Sequence, residues 1–243
     1  DAAGRAALLA GLAHRAYPTY ELFVFAALSG AILAMGYLMD SQALLLFGVL
    51  VAPLMLPWVG LLLGSVTGSL RFFFETLAAL LVSAALVFIV GILAGFAARA
   101  FMPRTFEQTY VHARLWWPDL IILALGAVIL TVSFVRSESK PFLPSVILAY
   151  CFFLPLSSGG FGLGSGIAGL WPHGVYVFAL HFAWATIFGL ITLLVLRIAP
   201  ANAAAFVFTS AVGLLLLAVI VVLMSTGSSR SLPCPVRFTT HPS

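Results

Sequence analysis

Few residues in this chain have side chains or backbone habits suited to chemistry, and most stand in two stretches. "APLMLPWVGLLLG" puts Pro53, Pro57, Gly60 and Gly64 into one apolar run, and "LPLSSGGFGLG" puts Pro155, Ser157, Ser158, Gly159 and Gly160 into another. Proline withholds a backbone donor, glycine lowers the cost of non-helical angles, and serine hydroxyls can satisfy stray carbonyls. Together they predict two helices broken near Pro53–Pro57 and Leu154–Gly160, with half-helix N-termini turned to a shared cavity. That is chemistry for holding a small neutral or anionic solute. His181, within "YVFALHFAWATIF", is the remaining candidate. It reads first as a neutral histidine bonded to another helix, and second as a proton or ligand site. The glycines taken alone read as packing faces, since small residues four apart let helices approach closely.

No catalytic set emerges, and an enzyme is not expected. Asp40 and Asp119 fall at span ends, where a cap is the simplest role. Glu75 follows Arg71 by one turn and predicts an i,i+4 ion pair. The two cysteines, Cys151 and Cys234, have no metal-binding spacing, and no metal or other cofactor is implied. "GFGLGSG" at Gly160–Gly166 lacks the strand–turn–helix context of a nucleotide-binding loop.

These residues must be positioned by membrane helices. The chain is 63% hydrophobic and 7% charged, with a mean hydropathy of +1.18. A soluble domain carries about 25% charged residues. The fold class is therefore an all-α integral membrane protein, and the expected partner is the lipid bilayer. Seven segments reach the length of about 20 residues a span requires: 20–39, 42–70, 72–101, 118–136, 142–170, 173–198 and 203–225. Strands alternating apolar and polar residues are missing, which excludes an outer-membrane barrel. The net charge of +4 is scattered through loops and forms no basic stripe, so nucleic acid is not a partner. Residues 1–19 read as a surface-lying helix without a recognisable cleavable signal. The counts of Arg and Lys in the short loops favour an N-terminus on the cytoplasmic side.

The two halves resemble each other. "SGAIL" at Ser29–Leu33 returns as "LGAVI" at Leu125–Ile129, Pro53-Leu54 as Pro155-Leu156, Gly60-Leu61 as Gly162-Leu163, and Gly64 as Gly166. Three spans per half turn the second half over, the inverted-repeat plan of many secondary transporters. The resulting organisation is an interfacial segment 1–19, repeat one at 20–101, a connecting loop at 102–117, repeat two at 118–198, an extra span in 199–225 and a polar tail at 226–243.

The stretches "MDSQALLLFGVLVAPLMLPWVGLLLG", "RLWWPDLIILALGAVI" and "FLPSVILAYCFFLPL" resemble the bacterial uncharacterised hydrophobic protein family, domain of unknown function 389. Asp40-Ser41 stands where that family has Asn-Ser, Leu56 replaces the glycine between its prolines, and Ser145 replaces a glycine after Leu143-Pro144. The resemblance covers roughly 20–198 and implies a bacterial inner-membrane protein, with no activity to carry over.

Three functions fit. The first is a transporter or channel-like protein with its site at paired broken helices near the bilayer midplane. The second is a structural or accessory subunit of a larger membrane complex, expected from the scarcity of polar groups and the glycine faces. The third is a lipid- or pigment-contacting protein. A homo-oligomer is expected on the same packing grounds.

Overall fold

The computed structural model describes residues 2–101, 106–137, 141–198, 200 and 202–227. The tail beyond Gly227, with Cys234, and residues 102–105 of the connecting loop lie outside the described residues. All described elements are helices: α1 Ala2–Arg15, α2 Tyr20–Leu38, α3 Gln42–Leu50, α4 Leu56–Thr67, α5 Leu70–Phe101, α6 Glu107–Ala113, α7 Trp117–Arg136, α8 Phe142–Ser165, α9 Leu170–Val195 and α10 Ala203–Gly227. Six of them (α2, α5, α7, α8, α9 and α10) are long and apolar enough to cross a membrane. The segment 42–70, expected as one span, is two short helices, α3 and α4, separated by Val51–Met55.

The centre of the bundle is α8, whose residues Cys151 to Gly162 are buried without interruption. Its largest partner is α5, and the seam is built from glycine. A Cβ on Gly91 of α5 would lie 2.6 Å from the Ser157 carbonyl oxygen, and one on Gly160 or Gly164 of α8 would strike the carbonyl of Phe88 or Ile92. Backbone meets backbone here, and close approach replaces the hydrophobic drive that lipid does not supply. On its other flank α8 meets α9 in the same way, with Gly159 against Gly174. Gly60 and Gly64 of α4 are buried against Thr76 and Phe73 at the start of α5. The glycine faces are packing surfaces.

One contact recurs at a spacing of 97 residues, Arg15 against Phe134 and His112 against Tyr37. At one end, Arg15, the last residue of α1, donates to the Ser137 carbonyl just past α7 (2.7 Å), and its guanidinium lies 4.7 Å from the centre of the Phe134 ring. At the other, His112 of α6 sits edge-on to Tyr37 of α2, and the amide of Gln108 donates to Asp40 Oδ1 just past α2 (2.8 Å). Arg15 and Phe134 thus stand in one arrangement where His112 and Tyr37 stand in the other. Gly68 and Gly166 close α4 and α8 with left-handed φ values of +71° and +75°. Each closure carries the matching six-to-one bond, Ser69 to Gly64 and Ile167 to Gly162.

Pro57 and Pro155 each precede the glycine that closes their helix by 11 residues.

Candidate functional site

Pro57 and Pro155 each lie 11 residues from a helix end. At 1.5 Å per residue that is about 16 Å, half of a hydrocarbon core about 30 Å thick. The bundle handles its two midplane prolines differently.

In the first half the helix breaks. Residues Val51–Met55 are non-helical between α3 and α4. Pro53 has no N–H to offer Val49, whose carbonyl takes the amide of Ala52 in a tighter turn (3.1 Å). Gly48 thereby loses its helical donor, and the buried Ser29 hydroxyl of α2 replaces it (2.8 Å). Pro57 occupies the first turn of α4, where a missing N–H costs nothing.

In the second half the expected break at Leu154–Gly160 does not occur, and the expectation is corrected: α8 is helical throughout, with Pro155 inside it. The reason is compensation from neighbours. Pro155 frees the carbonyl of Cys151, and His181 Nδ1–H of α9 donates to it (2.8 Å). The Tyr37 hydroxyl donates to the adjacent Leu154 carbonyl (2.8 Å). Because Nδ1 carries the proton, His181 Nε2 presents a lone pair, buried and without a hydrogen-bond partner. Ser158 donates to the carbonyl of Thr109 in α6 (2.6 Å). Ser157 Oγ is buried and unpartnered. Gly159 and Gly160 are spent on the helix contacts already described.

α6 closes the end of the bundle above these residues. Thr109 and Ala113 are fully buried, and Phe106 packs on Phe161 (4.9 Å between ring centres). His112 lies between Tyr37 and Tyr150, and its Nδ1–H donates to the Gln108 carbonyl (2.8 Å). Burial pushes its pKa below the usual imidazole value, so it is held neutral, while the carbonyl bond works weakly against that shift. Of the acidic residues expected as caps, Asp40 holds α6 instead, and Asp119 stands in the first turn of α7. Arg71 and Glu75 form the expected pair at 2.8 Å. Among the described residues no three His, Cys, Asp or Glu side chains gather as a metal site would require.

The space at the midplane lies elsewhere. A cavity of about 240 Å³ opens where Met55 of the α3–α4 break meets Phe152 of α8, Phe178, Phe182 and Ala183 of α9, and Ala84 of α5. Phe152, Phe178 and Phe182 form one aromatic cluster with centres 5.7 to 6.1 Å apart. The Ser83 hydroxyl also borders the space but donates to its own Ala79 carbonyl (2.9 Å), so the wall is carbon. None of Pro53, Pro57, Gly60, Gly64, Pro155, Ser157, Ser158, Gly159, Gly160 or His181 lines it. The break reaches the cavity through Met55, two residues from either proline. Aromatic and methionine side chains are too common in membrane helices for spacing to have singled these out.

A family model described as "Domain of unknown function (DUF389)" matches residues 49–224. No curated protein and no solved structure matches the chain.

Proposed function

This chain belongs to the family named domain of unknown function 389, and since that description assigns no activity, we propose a function from geometry: a transporter or channel-like protein for a small neutral solute, built from two inverted units. The units are α1–α5 and α6–α9, with α10 outside them. The single observation that carries the reading is the pair of equivalent closures at opposite ends of the bundle, Arg15–Phe134–Ser137 and His112–Tyr37–Asp40. Each is made by the opening helix of one unit, α1 or α6, which wedges against the other unit. An arrangement able to release one closure while keeping the other would expose a midplane site to each side in turn.

The midplane cavity is the site in this reading. Its walls offer carbon and no cation, which favours a neutral solute over an anionic one. The helix break supplies the hinge, because Val51–Met55 lets α3 and α4 move as separate rods. The test is stopped-flow swelling of proteoliposomes with a panel of small uncharged solutes. Rates several times those of protein-free vesicles, reduced by Ala183→Phe, are expected. Rates equal to empty vesicles for every solute would sink the proposal.

A further inference from the structure

A second apolar space adjoins the midplane cavity. Ala84 of α5 and Phe178 of α9 border both, and the second extends along Ala85, Phe88, Leu156 and Val175. The two lie in line along a seam where α5 and α9 both pack on α8 but scarcely on each other. Both spaces are floored by α8, through Phe152, Phe153 and Leu156.

The mouth of the midplane cavity faces the membrane. Leu81, which is 54% exposed, and Leu216 and Val219 of α10 stand at the rim. α10 is the most peripheral span, packed on α9 and α4 along one side and exposed along the rest. The medium outside a rim set within membrane-crossing helices is hydrocarbon. A dry apolar cavity of about 150 Å³ already takes up benzene, and the inner space alone is about 240 Å³. Leaving it empty would forfeit the dispersion contacts of three phenyl rings.

We propose that this seam is a binding site for a single alkyl chain, admitted sideways from the bilayer past α10, and that the solute handled by the protein carries such a chain. The second half of that statement rests on the transport reading of the cavity; the first does not. The wall explains the selectivity. A polar head finds no free donor inside, since Ser83 is turned to its own helix and His181 does not line the space. The head stays at the rim while the chain lies along Phe178 and reaches Met55.

The experiment uses the full chain in phosphatidylcholine vesicles containing a phosphatidylcholine with a diazirine in one acyl chain. A parallel preparation contains a free diazirine fatty acid. After illumination, tandem mass spectrometry locates the adducts. Met55, Phe152 and Ala183 are at most 2% exposed, so adducts on them arise from within the seam, whereas Leu125 and Ile129 report the outer surface. Adducts on the inner three with either probe are expected, and the two arms tell a phospholipid chain from a free one. Ala183→Phe, or Ala179→Leu if the first does not fold, should lower inner labelling at least fivefold and leave Leu125 unchanged. Adducts confined to outer-surface residues with both probes would overturn the proposal, as would inner labelling indifferent to a variant that folds. Inner labelling without solute flux would retain the chain site and remove the transport reading. Flux without inner labelling would do the reverse.

Discussion

His181 and Pro155 form a compensated pair, and a double-mutant cycle measures the compensation. Replacing His181 by Leu has two opposed effects. It strands the Cys151 carbonyl, in a residue only 3% exposed that water cannot reach, and a buried polar group left unpaired costs about 1–3 kcal/mol. It also removes the unpartnered Nε2, a gain of the same kind. The single variant is therefore a poor guide, because the two terms partly cancel. Pro155→Ala separates them by restoring the N–H that a helix directs at Cys151, so that His181 is no longer required there. Hydrogen bonds between membrane helices average about 0.6 kcal/mol and reach about 1.7 in such cycles. Full burial and the lack of any alternative donor put this one near the top, at about 1.5 kcal/mol, roughly tenfold in the folding constant. The assay is reversible unfolding of the four proteins by SDS titration in mixed micelles. A coupling within about 0.3 kcal/mol of zero, the range of independent sites, would refute the account of why α8 stays helical.

Gly164→Ala forces a Cβ into the Ile92 carbonyl, so the α5–α8 seam must part at a cost of about 3 kcal/mol, the upper range for overpacking. Gly213→Ala, with nothing within 4 Å, should be neutral or stabilising by up to about 1 kcal/mol, and the same titration compares them. The folded-state pKa of His112 is lowered, so its contribution to α6 docking is complete above the ordinary imidazole value of about 6.5 and is lost as the pH falls below it. Amide protection factors in Glu107–Ala113, taken against the intrinsic exchange rate at each pH, should therefore fall between pH 7.5 and 5.5 in the wild type and stay level in His112→Gln. Arg15→Met removes the bond to Ser137 but keeps apolar contact with Phe134, and faster exchange in α1 with α6 unchanged is the expected signature.

The spans were legible because composition decides them: a run of 20 apolar residues has one stable home. The α3–α4 break was legible because Pro53 and Pro57 remove donors from consecutive turns, which one neighbouring helix cannot repair. The α8 break was misread because a lone Pro155 frees one carbonyl, and whether His181 lies within reach of it is a tertiary fact. Ser157, Ser158, Gly159 and Gly160 looked like an opened helix for the same reason. Small residues serve a packed seam and an unwound turn equally well, and only Gly91 and Gly174 on the facing helices decide between them. α6 escaped notice because Glu107–Ala113 is too short and too polar to register as an element, although its burial closes one end of the bundle.

The bond from His181 to Cys151 also constrains the order in which this protein can be made. α8 leaves the ribosome before α9, carrying a freed carbonyl at its middle, four serines and four glycines within Phe142–Ser165. Alone it is a poor candidate for release into lipid, since nothing in the nascent chain behind it yet supplies the imidazole. The helix becomes stable when Leu170–Val195 arrives as its antiparallel partner, so the insertion machinery must retain α8 until the chain has been synthesised through Val195. The unit that enters the bilayer is then the hairpin.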